Sequence, residues 1–236
     1  MNQSQLRTLL SERIEAVEQR IQAACRRAGR ARTEVTLVAV TKTVGPEIAS
    51  LLPSLGIANL GESRPQELWR KAAALPATVR WHLVGHLQRN KIERTLPLVH
   101  CIHSVDSRKL LDTLEQEAVK LQRTLPIFLE VNASGESSKH GLTPAEVVTL
   151  GSKIAASPHL QVLGLMTMAA FEENPENTRP TFVALRELRD TLRQSLQAPE
   201  SLPHLSMGMT NDFEVALEEG ATFLRVGTAL FEGLPR

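Results

Sequence analysis

The chain has no tyrosine, and aromatic residues of every kind make up only 3% of it. Chemistry that needs a phenol as acid or base is therefore closed to it. Cysteine is nearly as scarce. Cys25 and Cys101 stand in no metal-binding or redox spacing, which fits a reducing, cytoplasmic setting and excludes a disulfide scaffold. No apolar stretch approaches the ~20 residues of a membrane span. The opening residues, polar and then amphipathic, do not read as a secretory signal. Charge is balanced: 27 basic and 26 acidic residues leave a formal net charge of +1, which gives no reason to expect nucleic acid or an anionic membrane as partner. One basic cluster, Arg26, Arg27, Arg30 and Arg32, reads as solvated cations at a helix C-terminus. Solenoid repeats, low-complexity tracts and Pro-, Gly- or Ser-rich linkers are missing as well. The 236 residues are thus expected to form one domain, 1–236, with a sizeable core.

What is present is an alternation. Leu6, Leu10, Ile14, Val17, Ile21 and Ala24 recur at three- and four-residue steps, which predicts one long amphipathic helix that stops at Gly29. Eight apolar strands follow: Val35–Thr41, Ile57–Leu60, Val79–Val84, His100–Ser104, Ile127–Asn132, Gln161–Met166, His204–Met207 and Thr222–Val226. Helical segments with usable caps lie between them. Pro46 suits a first helical position. Asp106 is placed to cap the helix carrying Leu110, Leu111 and Leu114. Thr143 with Glu146, and Asn211 with Glu214, have capping-box spacing. The runs Val35–Val40 and Ile127–Val131 are continuously apolar, as buried parallel strands tend to be. The expected fold is α/β, a (β/α)8 TIM barrel with an extra N-terminal helix. An open doubly wound sheet is the alternative, weakened because no G-x-G-x-x-G follows the first strand. The polar segment Glu172–Arg179 reads as a surface loop.

A barrel gathers function at the C-terminal ends of its strands, and phosphate often sits after strands seven and eight. Lys42 falls at the end of strand one. Of 7 lysines and 20 arginines, it alone directly follows a long apolar strand. A lysine forms a Schiff base only as the neutral amine; the plainer reading is a side chain snorkelling to water. Ser206-Met207-Gly208-Met209 and Arg225-Val226-Gly227-Thr228 are small-residue turns that backbone-donating phosphate sites require. Read plainly, their glycines merely end strands. First and last strands are neighbours in a barrel, so an amine and a phosphate cradle meet there. Together they point to a phosphorylated aldehyde. Arg225 alternates with Phe223 and should point inward, where a buried charge needs a partner. A pyridine nitrogen or a carboxylate would serve, as would Glu130 or Glu62 within the protein. His82 and His86 have a zinc-like i, i+4 spacing, but they straddle a strand and Gly85 and cannot share a helical face. No metal site is expected; His86 is placed at the rim.

The motifs VAVTKT (38–43), GESRPQE (61–67), WHLVGHLQRNK (81–91), VNASGESSKHG (131–141), GLMTM (164–168), LSMGMTND (205–212) and LRVGTALFEG (224–233) resemble, in this order, those of the pyridoxal phosphate homeostasis proteins. The resemblance covers nearly the whole chain. It implies a barrel similar to that of alanine racemases, with pyridoxal 5′-phosphate held as an aldimine on Lys42. It places Ser206, Gly227 and Thr228 at the phosphate and Arg225 at the pyridine nitrogen. Ser63, His86, Asn90, Met166, Met209 and Asp212 match positions near the pocket, and Lys139 matches a loop lysine of cofactor handling. Two positions depart from the family: Ser63 stands where an asparagine is common, and Val44 where a second lysine is.

The resemblance implies a non-catalytic carrier and buffer of pyridoxal phosphate that acts as a monomer and supplies apo forms of pyridoxal-dependent enzymes. A weak amino-acid racemase is the alternative. A Schiff-base aldolase and an interaction module that senses the cofactor are further readings. Alanine racemases use a tyrosine base from an added domain; this chain has no tyrosine and lacks the ~100 residues of such a domain. An arginine facing the pyridine nitrogen also disfavours the protonated ring that makes the cofactor a strong electron sink.

Overall fold

Eight short parallel strands close on themselves. They are β1 (Thr36–Val40), β2 (Asn59–Glu62), β3 (Arg80–Leu83), β4 (Val99–Val105), β5 (Leu125–Glu130), β6 (Leu160–Met166), β7 (His204–Ser206) and β8 (Phe223–Val226). Each pairs with the next, and β1 also pairs with β8 to complete the barrel. In that seam Val38 stands opposite Arg225 and Ala39 opposite Val226. The helices are α1 (Gln3–Arg27), α2 (Pro46–Ala49), α3 (Pro65–Ala74), α4 (Ile92–Thr95), α5 (Arg108–Lys120), α6 (Pro144–Ala155), α7 (Arg179–Ser195), α8 (Phe213–Glu218) and α9 (Thr228–Phe231). The protein is seen here as a computed structural model that describes residues 2–136, 140–155, 157–198 and 200–235.

Period-two alternation sends one set of strand residues outward under the helices and the other into the barrel. Outward, Leu37, Ala39, Leu60, Trp81, Ile127, Leu129 and Leu224 join the main apolar core. Inward, Cys101, Phe128 and Met166 form a second cluster against Phe223. The rings of His82, His103, Phe128 and Phe223 fill the same space, with His103 and Phe128 stacked at 4.6 Å. These side chains fill the interior beneath Arg225, and the cavity that Arg225 lines lies at the C-terminal rim. Close approach of β6 and β7 depends on Gly164, where an added Cβ would lie 1.7 Å from the His204 carbonyl oxygen.

The long first helix begins at a capping box, Asn2 with Gln5, and ends as expected, with Gly29 in the left-handed region at φ +64°. It packs outside the barrel on α8 and α9. Arg13 donates to the Leu230 carbonyl at 3.1 Å, and Arg20 lies 4.4 Å over the Phe213 ring beside Glu214. The basic cluster is less solvated than its sequence implies. Arg27 pairs with Glu218 at 2.8 Å, Arg32 with Glu18 at 2.8 Å, and Arg30 donates to the carbonyls of Leu217 and Ala221.

Three local expectations are corrected. β2 begins two residues later than the apolar run, because Ile57 still bonds back to Leu52 after the left-handed turn at Gly56. Ser107, not Asp106, caps α5 by accepting from the Leu110 amide, which leaves Asp106 for His86. Asn211 and Glu214 form no capping box. Asp212 takes the cap position and accepts from the Met209 amide at 2.6 Å, while Asn211 donates to the Glu172 carbonyl. The box of Thr143 with Glu146 is present.

Candidate functional site

At the C-terminal rim lies a cavity of about 540 Å³, within the ordinary range for small-ligand sites. Lys42, Ser63, Met209, Arg225, Gly227 and Thr228, all singled out from sequence, line it together.

Lys42 reaches the cavity because the backbone before it is pinned. The Thr41 amide donates to the Gly61 carbonyl at 2.8 Å, and its hydroxyl donates to Glu62 at 3.0 Å. Lys71, rising from α3, donates to the Thr41 carbonyl at 2.7 Å and pairs with Glu62, both side chains being 1% exposed. Glu62 also accepts from the Ser63 amide at 3.1 Å. A buried ion pair thus joins the tips of β1 and β2, and Lys42 is the exposed cation that follows. Glu62 is therefore partnered by Lys71 and not by Arg225.

β8, the strand next to β1 in the closed barrel, delivers Arg225. Its Nη1 donates to Ser206 Oγ at 2.6 Å and its Nη2 to the Thr167 carbonyl at 2.9 Å, which uses two of its five N–H groups. Burial lowers its basicity to about 10, against the opposing pull of the Glu130 and Asp212 carboxylates. Burial raises both carboxyl groups, and for Glu130 the Asp106 carboxylate adds to the effect.

Beside Arg225 the chain turns through Gly227 into α9. A Cβ at Gly227 would lie 3.2 Å from the Val40 carbonyl, so this turn lies close against β1. The Thr210 hydroxyl accepts from the Ala229 amide at 3.1 Å and lines the cavity with Thr228. The turn that leads into Thr210 depends on Gly208, at φ +92°, where a Cβ would meet Ala216 at 2.7 Å.

The other expected site residues lie elsewhere. Ser206 is fully buried, and its hydroxyl is held between Arg225 and His103. It is not among the lining residues, and Thr210, four residues on in the same motif, stands there instead. Met166 is fully buried against Cys101 and Phe128 within the barrel, and Met168, two residues on and past the end of β6, takes the lining position. His86 sits on the rim outside the lining, 2.8 Å from Asp106 and stacked on His140. Lys139 lies outside the described residues. Sequence reasoning missed Thr210, Met168, Lys71 and the interior pair His82–His103. Thr210 was legible as a hydroxyl inside LSMGMTND. The rest required knowing which strand residues face in.

The cavity therefore offers an exposed amine, hydroxyl and glycine donors at the β8 turn, and a guanidinium. That set fits a phosphorylated aromatic aldehyde: amine for carbonyl, small-residue turn for phosphate, donor-only cation for a ring acceptor.

The model of the alanine racemase N-terminal domain matches residues 13–235. The pyridoxal phosphate homeostasis protein of Aquifex aeolicus (strain VF5) is 43% identical over 221 residues, 93% of this chain and 96% of that one. The human protein of that name is 34% identical over 231 residues, 92% of this chain and 84% of that one. Among solved structures, PipY of Synechococcus elongatus PCC7942, determined with PLP bound, superposes with a TM-score of 0.81 at 31% identity, covering 94% of this chain and 99% of that one.

Proposed function

On the premise that the chain belongs to the pyridoxal phosphate homeostasis proteins, built on the barrel of the alanine racemase N-terminal domain, we propose that it binds pyridoxal 5′-phosphate reversibly and buffers or delivers it without turning over a substrate. One observation carries this reading: Lys42 at the end of β1 and the Gly227–Thr228 turn at the end of β8 open on one cavity that Arg225 also lines.

The cofactor, when bound, supplies an aldehyde, a ring nitrogen and a phosphate. Lys42 is the amine placed to hold the aldehyde. Gly227, Thr228 and Thr210 are placed to hold the phosphate. Arg225, which has only protons to give, holds a ring nitrogen as an unprotonated acceptor, and this weakens the ring as an electron sink. Ser63 and Met209 flank the opening. The lack of any tyrosine supports a carrier over a racemase.

The finer reading is that the protein acts as one barrel domain over 1–236 and as a monomer. It works in the reducing cytoplasm, where its two free cysteines stay as thiols, and its recipients are apo forms of pyridoxal-dependent enzymes. Among the described residues no helix is long and apolar enough to cross a membrane.

Borohydride reduction of the loaded protein followed by peptide mass mapping should place the adduct on Lys42. An adduct on another lysine, or none, sinks the site assignment. Holo-protein mixed with an apo pyridoxal enzyme should restore that enzyme's activity. Turnover of an amino acid that disappears in Lys42→Ala would promote the racemase reading.

A further inference from the structure

Beneath the cavity runs a chain of polar groups that ligand contact alone does not explain. Arg225 Nη1 donates to Ser206 Oγ at 2.6 Å, and Ser206 Oγ lies 2.8 Å from His103 Nδ1. His103 Nε2 lies 2.9 Å from His82 Nδ1, and His82 Nε2 lies 3.1 Å from Asn59 Oδ1. The links cross the barrel interior from β8 through β7, β4 and β3 to β2. Ser206 and His103 are wholly buried, and His82 is 1% exposed.

The chemistry of the two ends fixes the direction of every proton. A guanidinium donates and never accepts, so Ser206 must accept from it. The single proton of Ser206 then passes to His103 Nδ1. With Nδ1 accepting, His103 carries its own proton on Nε2 and gives it to His82 Nδ1. His82 in turn donates from Nε2 to the Asn59 amide oxygen. This direction satisfies all five groups. The reverse would need the Asn59 amide flipped and would strand the Ser206 proton, in a place where an unmade hydrogen bond costs most.

Burial keeps both rings neutral, as the chain requires: His82 is pushed down to about 3, with His100 and Arg80 adding to the effect, and His103 lies well below its ordinary value. The charged groups facing Arg225 itself are Glu130 and Asp212. His82, Cys101 and His103 also bring their ligand atoms within 4.8 Å of one another. However, the ring nitrogens are spent on each other, and the charges nearest His82 are cations, so a metal is not favoured there.

We propose that Ser206, His103 and His82 form a one-directional hydrogen-bond relay that anchors Arg225 from below and aims its guanidinium into the cavity. They are positioning residues. Only the consequence rests on the cofactor reading: the relay keeps the bound ring nitrogen unprotonated by keeping Arg225 in place.

Three measurements test this. The first is a long-range proton–nitrogen correlation spectrum of histidine-labelled protein without cofactor. It should show His82 and His103 both as the Nε2–H form, unchanged between pH 5.5 and 8.5. Either ring carrying its proton on Nδ1, or charged at pH 7, overturns the relay. In the second, arginine-labelled protein should give resolved, slowly rotating guanidinium signals for Arg225. Ser206→Ala should merge them, and so should Ser206→Cys, which keeps the volume but is a weaker acceptor. Signals that stay resolved in both variants overturn the anchoring. In the third, pyridoxal phosphate labelled at the ring nitrogen should report an unprotonated nitrogen in the wild type and a shift toward the protonated form in these variants. A merely structural role would lower the melting temperature and leave that signal in place, which would overturn the positioning. If the labelled compound does not bind at all, the cofactor reading fails, and the histidine forms and Arg225 signals still decide the relay.

Discussion

Single residues near the cavity are separated by what their polar atoms already hold. Ser206 has its hydroxyl committed to Arg225 and His103 beneath the cavity, whereas Thr210 lines the cavity and its hydroxyl, which accepts from the Ala229 amide, keeps its proton to donate. Thr210→Val should therefore weaken pyridoxal phosphate binding by about 1.5–3 kcal/mol, the usual loss for a hydrogen bond to a charged group. It should weaken pyridoxal, which has no phosphate, far less. Titration with both compounds checks this, and equal losses would remove Thr210 from the phosphate. Lys71 supplies a different test. Its ammonium is the buried partner of Glu62 and holds the Thr41 carbonyl. Lys71→Met leaves an uncompensated carboxylate under Lys42 and should cost about 3–5 kcal/mol in urea unfolding. Adding Glu62→Gln should recover part of that loss, because the stranded charge is then gone.

Secondary-structure elements carry their own signals, and most were readable. The apolar run of β1, the three- and four-residue period of α1 and the capping box of α6 all appear where local chemistry puts them. The helix start at α5 was misread by one residue, because two adjacent side chains can both cap and only one does. Ser107 accepts from the Leu110 amide at 3.3 Å, while Asp106 turns 2.8 Å from His86 Nδ1. Ser107→Ala should thus lower stability by about 1 kcal/mol, a typical N-cap loss. Asp106→Ala should leave α5 intact and free the His86 ring from its carboxylate partner. Thermal melts and the His86 ring chemical shifts separate the two. The strands end where backbone partners end, so β2 moved by two residues relative to its apolar run, and no side-chain pattern records that.

For the molecule as a whole, the solid interior of the barrel sets the response to acid. His82 and His103 are held neutral in the folded chain, His82 with its pKa lowered to about 3. A base whose folded pKa is depressed contributes its full stability above its unfolded value, near 6.5. As pH falls below that, the unfolded chain takes up protons that the folded one refuses, so stability declines until the folded pKa is passed. Glu130 and Asp212, raised by burial, work the other way, since their protonation favours the folded form. Between pH 7.5 and 5.5 His82 and His103 dominate, the part-buried His100 and His204 act in the same direction, and urea unfolding should show a loss of about 3 kcal/mol. A stability that stays level over this range would mean the rings are exposed in the folded protein, and one that rises on acidification would mean they are charged there.

The alternation of eight apolar runs with capped helical segments was enough to place parallel strands buried on both faces, and the missing G-x-G-x-x-G favoured the barrel over an open sheet. The sequence by itself determined Lys42 and the Gly227–Thr228 turn too, since strand ends and small residues are local features. It also placed Arg225 inward by alternation alone. Tertiary structure decided which hydroxyl faces the cavity and which lies under it, because Ser206 and Thr210 differ only in depth along the barrel axis. It decided that Glu62 belongs to Lys71, a partner brought over from α3. It also decided that two histidines 21 residues apart hydrogen-bond to each other. These pairings arise only when the strands close, for closure is what removes water from the interior and leaves each polar group to find a partner across it.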